Sequence, residues 1–119
     1  MVSEKRVDRA FDYYLRLAKV RKYVIENLSE PISLKDAASV ASMEPSSFSR
    51  FFKDKAGITF SEWIRRERIA KAIEILEKRV ISVSSLATRV GFSCERTFRR
   101  AFIVQTGVSP SYYKKSIWE

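Results

Sequence analysis

Two groups of polar side chains in this chain have the residue types that hydrogen-bond to nucleic acid bases. The first group is Ser46, Ser49 and Arg50, and the second is Glu95, Arg96, Arg99 and Arg100. The planar guanidinium group of arginine can donate to O6 and N7 of the same guanine, and a serine hydroxyl can bond to base edges or phosphates. For either group alone, a solvated helix face that keeps the protein soluble explains the pattern as well.

Helical spacing places the first group opposite a phenylalanine. We put Phe48 at the centre of the buried face and advance about 100° per residue. Ser46, Arg50 and Lys53 then fall on the opposite face, with Ser49 beside them. This helix is therefore expected to bury its phenylalanines and to expose a polar face that has no acidic residue at its centre.

The second group follows the same geometry around Phe98. Arg96, Arg100 and Ile103 fall opposite this phenylalanine, whereas Cys94 falls on its buried side. Arginines therefore dominate the outer face that is expected for this second helix.

Both helices belong to an internal repeat of apolar and glycine positions. The first copy contains Leu34, Ala37, Ala38, Ala41, Met43, Phe48, Phe52 and Gly57, and the second contains Val83, Leu86, Ala87, Val90, Phe92, Phe98, Phe102 and Gly107. The offset is 49 residues as far as Met43 and 50 from Phe48 onward, so the second copy has one extra residue in the turn between its helices. Each copy is typical of a helix-turn-helix, and repeats determine the architecture of a chain. Repetition at matched positions favours two DNA-contacting helices over two solvated faces.

The composition favours a polyanionic partner. Of the 119 residues, 45% are hydrophobic, so a globular core can form. The 23 Lys and Arg residues exceed the 14 Asp and Glu residues and give a net charge of +9. This excess suits nucleic acid first and an acidic membrane surface second.

Several classes of protein are disfavoured by the residues that are rare or missing. Histidine is absent, and no paired carboxylate, glycine-rich phosphate loop or activated nucleophile stands out, so we expect no enzyme. The single cysteine, Cys94, excludes an internal disulfide and a multi-thiolate metal site, and we expect no cofactor. No apolar run approaches the roughly 20 residues that span a bilayer. The N-terminus lacks the apolar core of a signal peptide, so the cytoplasm is the expected location.

The periodicity predicts an all-α fold, because every long segment has helical spacing and only three glycines and three prolines occur. Ser33 and Asp36 form a near capping box, Pro45 suits a first helical turn, and Gly57 suits a helix end. We expect seven helices, over residues 7–27, after Ser33, and over 45–55, 61–78, 83–90, 94–105 and 110–115.

We expect two helix-turn-helix subdomains joined by a linker helix. At 1.5 Å per residue the linker spans roughly 27 Å, which suits two recognition helices about one DNA turn, near 34 Å, apart. One monomer is then expected to contact two successive major-groove segments with the helices near 45–55 and 94–105. Trp63 and Tyr113 occupy equivalent positions and are expected to close the two cores. The predicted segments are an N-terminal extension or linker at 1–16, the first subdomain at 17–60, the linker helix at 61–78 and the second subdomain at 79–119.

A set of spaced motifs in the second half of the chain is specific enough to identify a family. The motifs are Arg68-Ile69-x-x-Ala72-x-x-Ile75, Leu86-Ala87-x-x-Val90-Gly91-Phe92, Phe98-x-x-x-Phe102, Gly107 and Ser109-Pro110. With these motifs the chain, over about residues 17–116, resembles the DNA-binding domain of AraC/XylS-type transcriptional regulators. The resemblance implies a bacterial, seven-helix module with two helix-turn-helix subdomains. It also implies a regulator, usually an activator, whose partners are double-stranded promoter DNA and RNA polymerase.

The resemblance also implies roles for individual residues. Base contacts are implied for Ser46, Ser49 and Arg50 in one helix and for Glu95, Arg96, Arg99 and Arg100 in the other. Phosphate contacts are implied for Lys53 and for backbone amides near Ser33 and Ser82, because the start of a helix attracts phosphate.

Three features depart from the family pattern. Ile103 stands where a basic or polar residue is usual, and it either packs within the second subdomain or contacts polymerase or a thymine methyl group. Ser42 replaces the glycine that is often found in the first turn and that matches Gly91 in the second. Most members also carry a separate effector-binding or dimerisation domain, so the chain is either a stand-alone regulator or part of a longer protein.

The segment 4–16 lies outside the resemblance. Val7, Phe11 and Tyr14 continue the apolar stripe of the first predicted helix through this segment. It is interpreted as an interdomain linker or docking helix, with a dimer contact and a capping helix as alternatives.

The leading hypothesis is therefore sequence-specific binding of double-stranded DNA and regulation of transcription, in the nucleoid. The alternatives are a helical protein-interaction module whose charge is incidental and a non-specific DNA-binding protein. The apolar positions of the two copies match while their outer faces differ, which favours one monomer that recognises an asymmetric site.

Overall fold

The computed structural model describes residues 4–119, apart from the side chains of residues 10–13. These residues form eight α-helices and no β-strand, which confirms the predicted all-α fold with one helix more than expected. The helices are α1 (Glu4–Tyr13), α2 (Leu15–Glu26), α3 (Leu34–Val40), α4 (Pro45–Ala56), α5 (Phe60–Lys78), α6 (Val83–Arg89), α7 (Glu95–Thr106) and α8 (Pro110–Trp118).

The additional helix arises because the segment predicted as one continuous helix, over residues 7–27, forms two helices, α1 and α2. The prediction of one continuous helix is therefore wrong. The chain breaks at Tyr14, which has the extended backbone angles φ −111° and ψ 112°. In one straight helix Val7 would lie about 15 Å along the axis from Leu17. The break instead lets α1 contact α4 as well as α2, and it buries Val7 in the same core as Leu17. The side chain of Phe11, which belonged to the predicted stripe, lies outside the described residues.

The chain divides into two compact units between Ile64 and Arg65. In the first unit Phe48 and Phe52 of α4 are fully buried. Phe60 contacts both rings edge-on, with centroid distances of 5.3 and 5.4 Å. The ring centroids of Trp63 and Phe52 are 5.8 Å apart, and Trp63 is itself buried. The remaining members of this core include Leu17, Val20, Val24, Ala37, Ala38, Ala41 and Ala56.

The second unit repeats this core with equivalent residues. Phe98 and Phe102 of α7 are fully buried, and their rings are 5.8 Å apart. Tyr113 packs edge-on against Phe102 at 5.7 Å. Tyr113 thus takes the place that Trp63 has in the first unit, which confirms the prediction that these two residues close the cores. Other members of the core are Ile69, Ala72, Leu76, Leu86, Ala87, Val90 and Phe92.

Helix α5 supplies residues to both cores. Its first turns contribute Phe60, Trp63 and Ile64 to the first core, and its later turns contribute Ile69, Ala72 and Leu76 to the second. The same helix therefore contributes apolar residues to both cores. None of the described helices is both long and apolar enough to cross a membrane.

The turns of the two helix-turn-helix segments differ by one residue. Four residues separate α3 from α4, and five separate α6 from α7. The backbone N–H of Met43 donates to Ala38 O at 2.9 Å, and that of Phe92 donates to Ala87 O at 3.0 Å. The two turns have the same hydrogen bonds as far as Met43 and Phe92, so the extra residue of the second turn lies after Phe92. This position confirms the one expected from the repeat.

A left-handed backbone conformation occurs at the same place in both turns. Gly91 has φ 96°, and Ser42 at the equivalent position has φ 57°. A side chain in this region costs roughly 1–2 kcal/mol, which glycine avoids. The first turn therefore retains local strain that the second turn lacks.

We expect Ser42→Gly to stabilise the protein by about 0.5 kcal/mol, since relief of the left-handed strain exceeds the added freedom of the unfolded chain. The reverse exchange, Gly91→Ser, should destabilise it by about 1 kcal/mol. Urea denaturation followed by circular dichroism measures both free energies of unfolding. A loss of stability in Ser42→Gly would contradict this account of the turn.

Candidate nucleic-acid interface

The sequence around α4 defines both ends of this helix. The side chain of Glu44 caps the start, and its carboxylate accepts hydrogen bonds from the backbone N–H groups of Ser46 and Ser47, each at 3.2 Å. Pro45 occupies the first turn, where no intrahelical N–H bond is needed. Gly57 ends the helix in the left-handed conformation, and its N–H donates to Lys53 O. The predicted roles of Pro45 and Gly57 are confirmed.

The Ser46 hydroxyl is part of this cap. Ser46 Oγ lies 2.7 Å from Glu44 Oε2 and 3.0 Å from Oε1, so the hydroxyl donates to the carboxylate. The hydroxyl bond, followed by the backbone bonds from Ser46 and Ser47, lowers the pKa of Glu44 from 4.5 to about 2. With its proton engaged, Ser46 Oγ presents lone pairs to the outside and can accept from a base amino group. The sequence did not reveal this orientation of Ser46.

The rest of the α4 outer face is exposed as the helical spacing predicted. We define this face as Ser46, Ser49, Arg50 and Lys53, and all four side chains are exposed to solvent. The intervening Phe48 and Phe52 are buried. The face therefore combines two hydroxyls with two cations on one side of a helix that is fixed by its opposite side.

The start of α7 differs from that of α4. Cys94 occupies the cap position, and its side chain makes no capping hydrogen bond. The prediction that Cys94 lies on the buried side is wrong, because the residue is exposed. Its backbone is extended, with φ −149° and ψ 155°, so the helical spacing used in the prediction does not apply to it. The Thr97 hydroxyl lies 3.1 Å from Cys94 Sγ, and this contact is the main cause of a lowered thiol pKa.

Two members of the predicted α7 outer face are bound to each other. Arg99 Nε donates to Glu95 Oε2 at 2.8 Å, and both side chains are about 40% exposed. Arg99 Nη1 also donates to Ser111 Oγ of α8 at 3.4 Å. Ser111 had no signal in the sequence, because it lies 12 residues away in another helix. Arg99 is thus held on the α8 side of α7.

The accessible part of the α7 outer face consists of Arg96 and Arg100, which are both exposed. Ile103 lies on the same face one turn later and is 46% exposed. The alternative that Ile103 is a packing residue of the second core is therefore not supported. Two arginines four residues apart, followed by an apolar side chain, form a surface that differs from Ser46, Ser49, Arg50 and Lys53 of α4.

The two serines expected near phosphates both cap short helices. Ser33 Oγ accepts from the Asp36 N–H at 3.0 Å, and Ser82 Oγ accepts from the Ser85 N–H at 3.1 Å. Ser33 was predicted as a cap, and this prediction is confirmed. In both cases the hydroxyl satisfies one N–H of the first turn, and the other N–H groups of that turn have no intrahelical acceptor.

Arg68 of α5 has a structural role within the second unit. Its guanidinium group lies 6.0 Å from the centroid of the Phe92 ring, and partial burial lowers its pKa. A cation above an aromatic face stabilises the contact, so Arg68 supports the turn that contains Phe92. Among the described residues, no group of three or more carboxylate or thiol side chains is placed to hold a metal ion.

Two helix-turn-helix units, each with a polar helix exposed beside a buried pair of phenylalanines, define the class of this protein. The model of a family described as a helix-turn-helix domain matches residues 37–116. The chain belongs to this family, the AraC-type helix-turn-helix domains of transcriptional regulators.

The chain is similar to regulators of known sequence and to a solved DNA-binding domain. It is 34% identical over 98 residues to the uncharacterized HTH-type transcriptional regulator YfiF of Bacillus subtilis, covering 82% of this chain and 31% of YfiF. It is also 34% identical over 104 residues to the regulatory protein PocR of Salmonella typhimurium, covering 87% of this chain and 34% of PocR. The chain thus spans about a third of the length of these relatives.

The crystal structure of the DNA-binding domain of AdpA, a global transcriptional factor in complex with a target DNA, has the same fold. Its TM-score is 0.79 at 31% sequence identity, and the match covers 85% of this chain and 91% of that domain.

The cap of α4 makes the stability of the protein depend on pH in the acid range. Because the pKa of Glu44 is about 2 in the folded protein and 4.5 ordinarily, its carboxylate stabilises the fold above about pH 4.5. This contribution is lost as the pH falls toward 2. We expect Glu44→Gln to have a lower Tm than the wild type near pH 7 and the two Tm values to converge near pH 2. A Tm difference of the same size at both pH values would contradict this role of the carboxylate.

Proposed function

We propose that this chain is the DNA-binding part of a transcription regulator and that α4 and α7 are its two recognition helices. The observation that carries the proposal is the equivalent placement of the two outer faces. Both lie on the second helix of a helix-turn-helix, opposite buried phenylalanines, and both expose arginine. In helix-turn-helix proteins this second helix enters the major groove.

The proposed base contacts follow the accessibility of the side chains. On α4 they are Ser49 and Arg50, with Ser46 as an acceptor for a base amino group. On α7, Arg96 and Arg100 are the proposed bidentate contacts to guanine. Glu95 and Arg99 contact bases only if their mutual ion pair opens or if the pair is used as a unit. Since exposed pairs are worth at most about 1 kcal/mol, opening it is not prohibitive.

Phosphate contacts position such a domain without reading the sequence. We assign them to Lys53 and to the backbone amides that follow Ser33 and Ser82. The net charge of +9 supports binding to a polyanion as a whole. The structure of the AdpA domain with its target DNA supports the same mode of binding here.

The proposal includes the partners of the complete regulator. We propose that the complete regulator activates transcription in the nucleoid through a contact with RNA polymerase. The greater length of YfiF and PocR supports an additional effector or dimerisation domain in the complete regulator.

Selection from a random pool of duplexes tests the proposed function directly. We expect an enriched sequence with two unlike half-sites, because the α4 and α7 outer faces differ. Affinity should fall steeply with salt, with a slope of about −0.9 in log K against log salt for each phosphate contact. Salt-sensitive binding without an enriched sequence would indicate a non-specific DNA-binding protein. No binding to any duplex at low salt would instead favour a protein-interaction module.

Substitutions on α7 separate base contacts from general charge effects. Arg96→Ala and Arg100→Ala should each lose about 1–3 kcal/mol on the selected duplex and much less on a scrambled one. Arg99→Ala should weaken binding to both duplexes alike, because it mainly leaves Glu95 uncompensated. Arg9→Ala, at an exposed arginine of α1 that is not among the proposed contacts, controls for the loss of one charge. Equal losses on both duplexes for Arg96→Ala and Arg100→Ala would reassign these residues to phosphate contacts.

A further inference from the structure

Helix α1 is bonded to the end of α4, the proposed recognition helix of the first unit. Arg6 Nη2 donates to the backbone carbonyl of Asp54 at 2.9 Å. This carbonyl is one of the last four in α4, which have no partner within the helix. A cation at the C-terminal end also interacts favourably with the helix dipole. Arg6 therefore supports α4 from an element 48 residues away in sequence.

Apolar and aromatic contacts extend this support along α4. Val7 of α1 is 7% exposed and belongs to the core that contains Phe48 and Phe52. At the break between α1 and α2, the Tyr14 ring packs edge-on against Phe51 with a centroid distance of 6.0 Å. Lys55 Nζ lies 5.3 Å from the centroid of the same Tyr14 ring. The segment from Arg6 to Tyr14 thus contacts both a polar group and side chains of α4.

The contacted residues of α4 form one flank of the helix. Phe51, Asp54 and Lys55 are three and four residues apart, so they lie on one side. On a helical wheel this flank borders the outer face where Asp54 lies about 40° from Arg50, four residues before it. An element that is docked on the flank therefore restricts rotation of α4 about its axis and fixes the direction of Arg50.

The second unit shows the same flank without such a cover. The residues equivalent to Phe51, Asp54 and Lys55 are Ala101, Val104 and Gln105 of α7. Val104 is 86% exposed although it is apolar, and Gln105 is also exposed. Ala101 is partly buried against the second core, so the repeat forms this core with Val104 and Gln105 exposed. Asp54, the counterpart of Val104, is exposed too, so α1 adds to the first copy only the contacts made by Arg6, Val7 and Tyr14.

We propose that α1 is a positioning element for α4 and that Arg6 and Val7 are its positioning residues. When α1 is docked, α4 holds the orientation in which the first unit recognises its half-site. When α1 is released, recognition of this half-site weakens while that of the second half-site is retained. Any segment or partner that withdraws α1 then regulates one half-site alone. This inference rests on the proposed function of α4 and α7.

The test uses Val7→Asp, Arg6→Ala and the control Arg9→Ala in the full chain. Arg9 is an exposed residue of the same helix and carries the same charge as Arg6. Dissociation constants are measured for the selected duplex and for duplexes in which either half-site is scrambled. For Val7→Asp we expect discrimination against the duplex with a scrambled first half-site to fall about tenfold, a typical coupling between sites. For Arg6→Ala we expect the same discrimination to fall only about threefold, since the hydrogen bond from Arg6 to the Asp54 carbonyl is exposed. Discrimination at the second half-site should be unchanged in both variants, and Arg9→Ala should match the wild type.

Hydrogen exchange of the free protein provides a readout that is independent of DNA. Amides in the last two turns of α4 should exchange faster in Val7→Asp and Arg6→Ala, whereas those of α7 should be unchanged. If Val7→Asp unfolds the first unit, Arg6→Ala alone decides the matter. Unchanged discrimination in Arg6→Ala, or an equal loss at both half-sites, overturns the positioning role while the proposed function stands. Absence of any enriched duplex for the wild type overturns the proposed function itself.

Discussion

The burial of two phenylalanines, four residues apart, determines which side of α4 and of α7 faces outward. Residues at this spacing share one face of a helix, so burying both limits the helix to a narrow range of rotations. Each buried phenylalanine stabilises the fold by roughly 2–3 kcal/mol, whereas an exposed ion pair such as Arg99–Glu95 contributes at most about 1 kcal/mol. The core therefore decides which side of each helix faces outward, and Arg50 and Arg100 lie on that side.

This constraint explains why the two outer faces differ while the units stay alike. The starts of the two helices also lie outside the core, and they differ as well. Glu44 caps α4 with a carboxylate that accepts from two N–H groups, whereas Cys94 leaves the start of α7 without a side-chain cap. The first proposed recognition helix thus begins with a fixed negative charge and an oriented serine, and the second begins with a thiol. These differences alter the electrostatics of each helix start without affecting the buried rings.

Apolar spacing was sufficient to predict most of the helices and both turns, because these features follow from local periodicity. It also predicted that Ser46, Ser49, Arg50, Arg96 and Arg100 are exposed, because each lies on the side of its helix away from the buried phenylalanines. Tertiary contacts produced the exceptions. At the break, the Tyr14 ring contacts Phe51 of α4, 37 residues further on, and the Arg99 side chain is held by Ser111 of another helix. The exposure of Cys94 follows from backbone angles at a helix start, where helical spacing no longer describes the side chain.

Because both units form equivalent cores, a feature that is present in only one unit is not needed to form that core. In the first unit α1 packs against α4 and Arg6 bonds to the Asp54 carbonyl, whereas the equivalent flank of the second unit exposes the apolar Val104. Burying Val104 would be favourable, yet the second unit forms its core while this side chain stays exposed. The cover on the first unit is therefore not required by the repeat itself. If α4 and α7 both contact DNA, as we propose, the asymmetry of α1 adds to that of the outer faces, and a single chain recognises two half-sites that differ in sequence and in their dependence on the N-terminal segment.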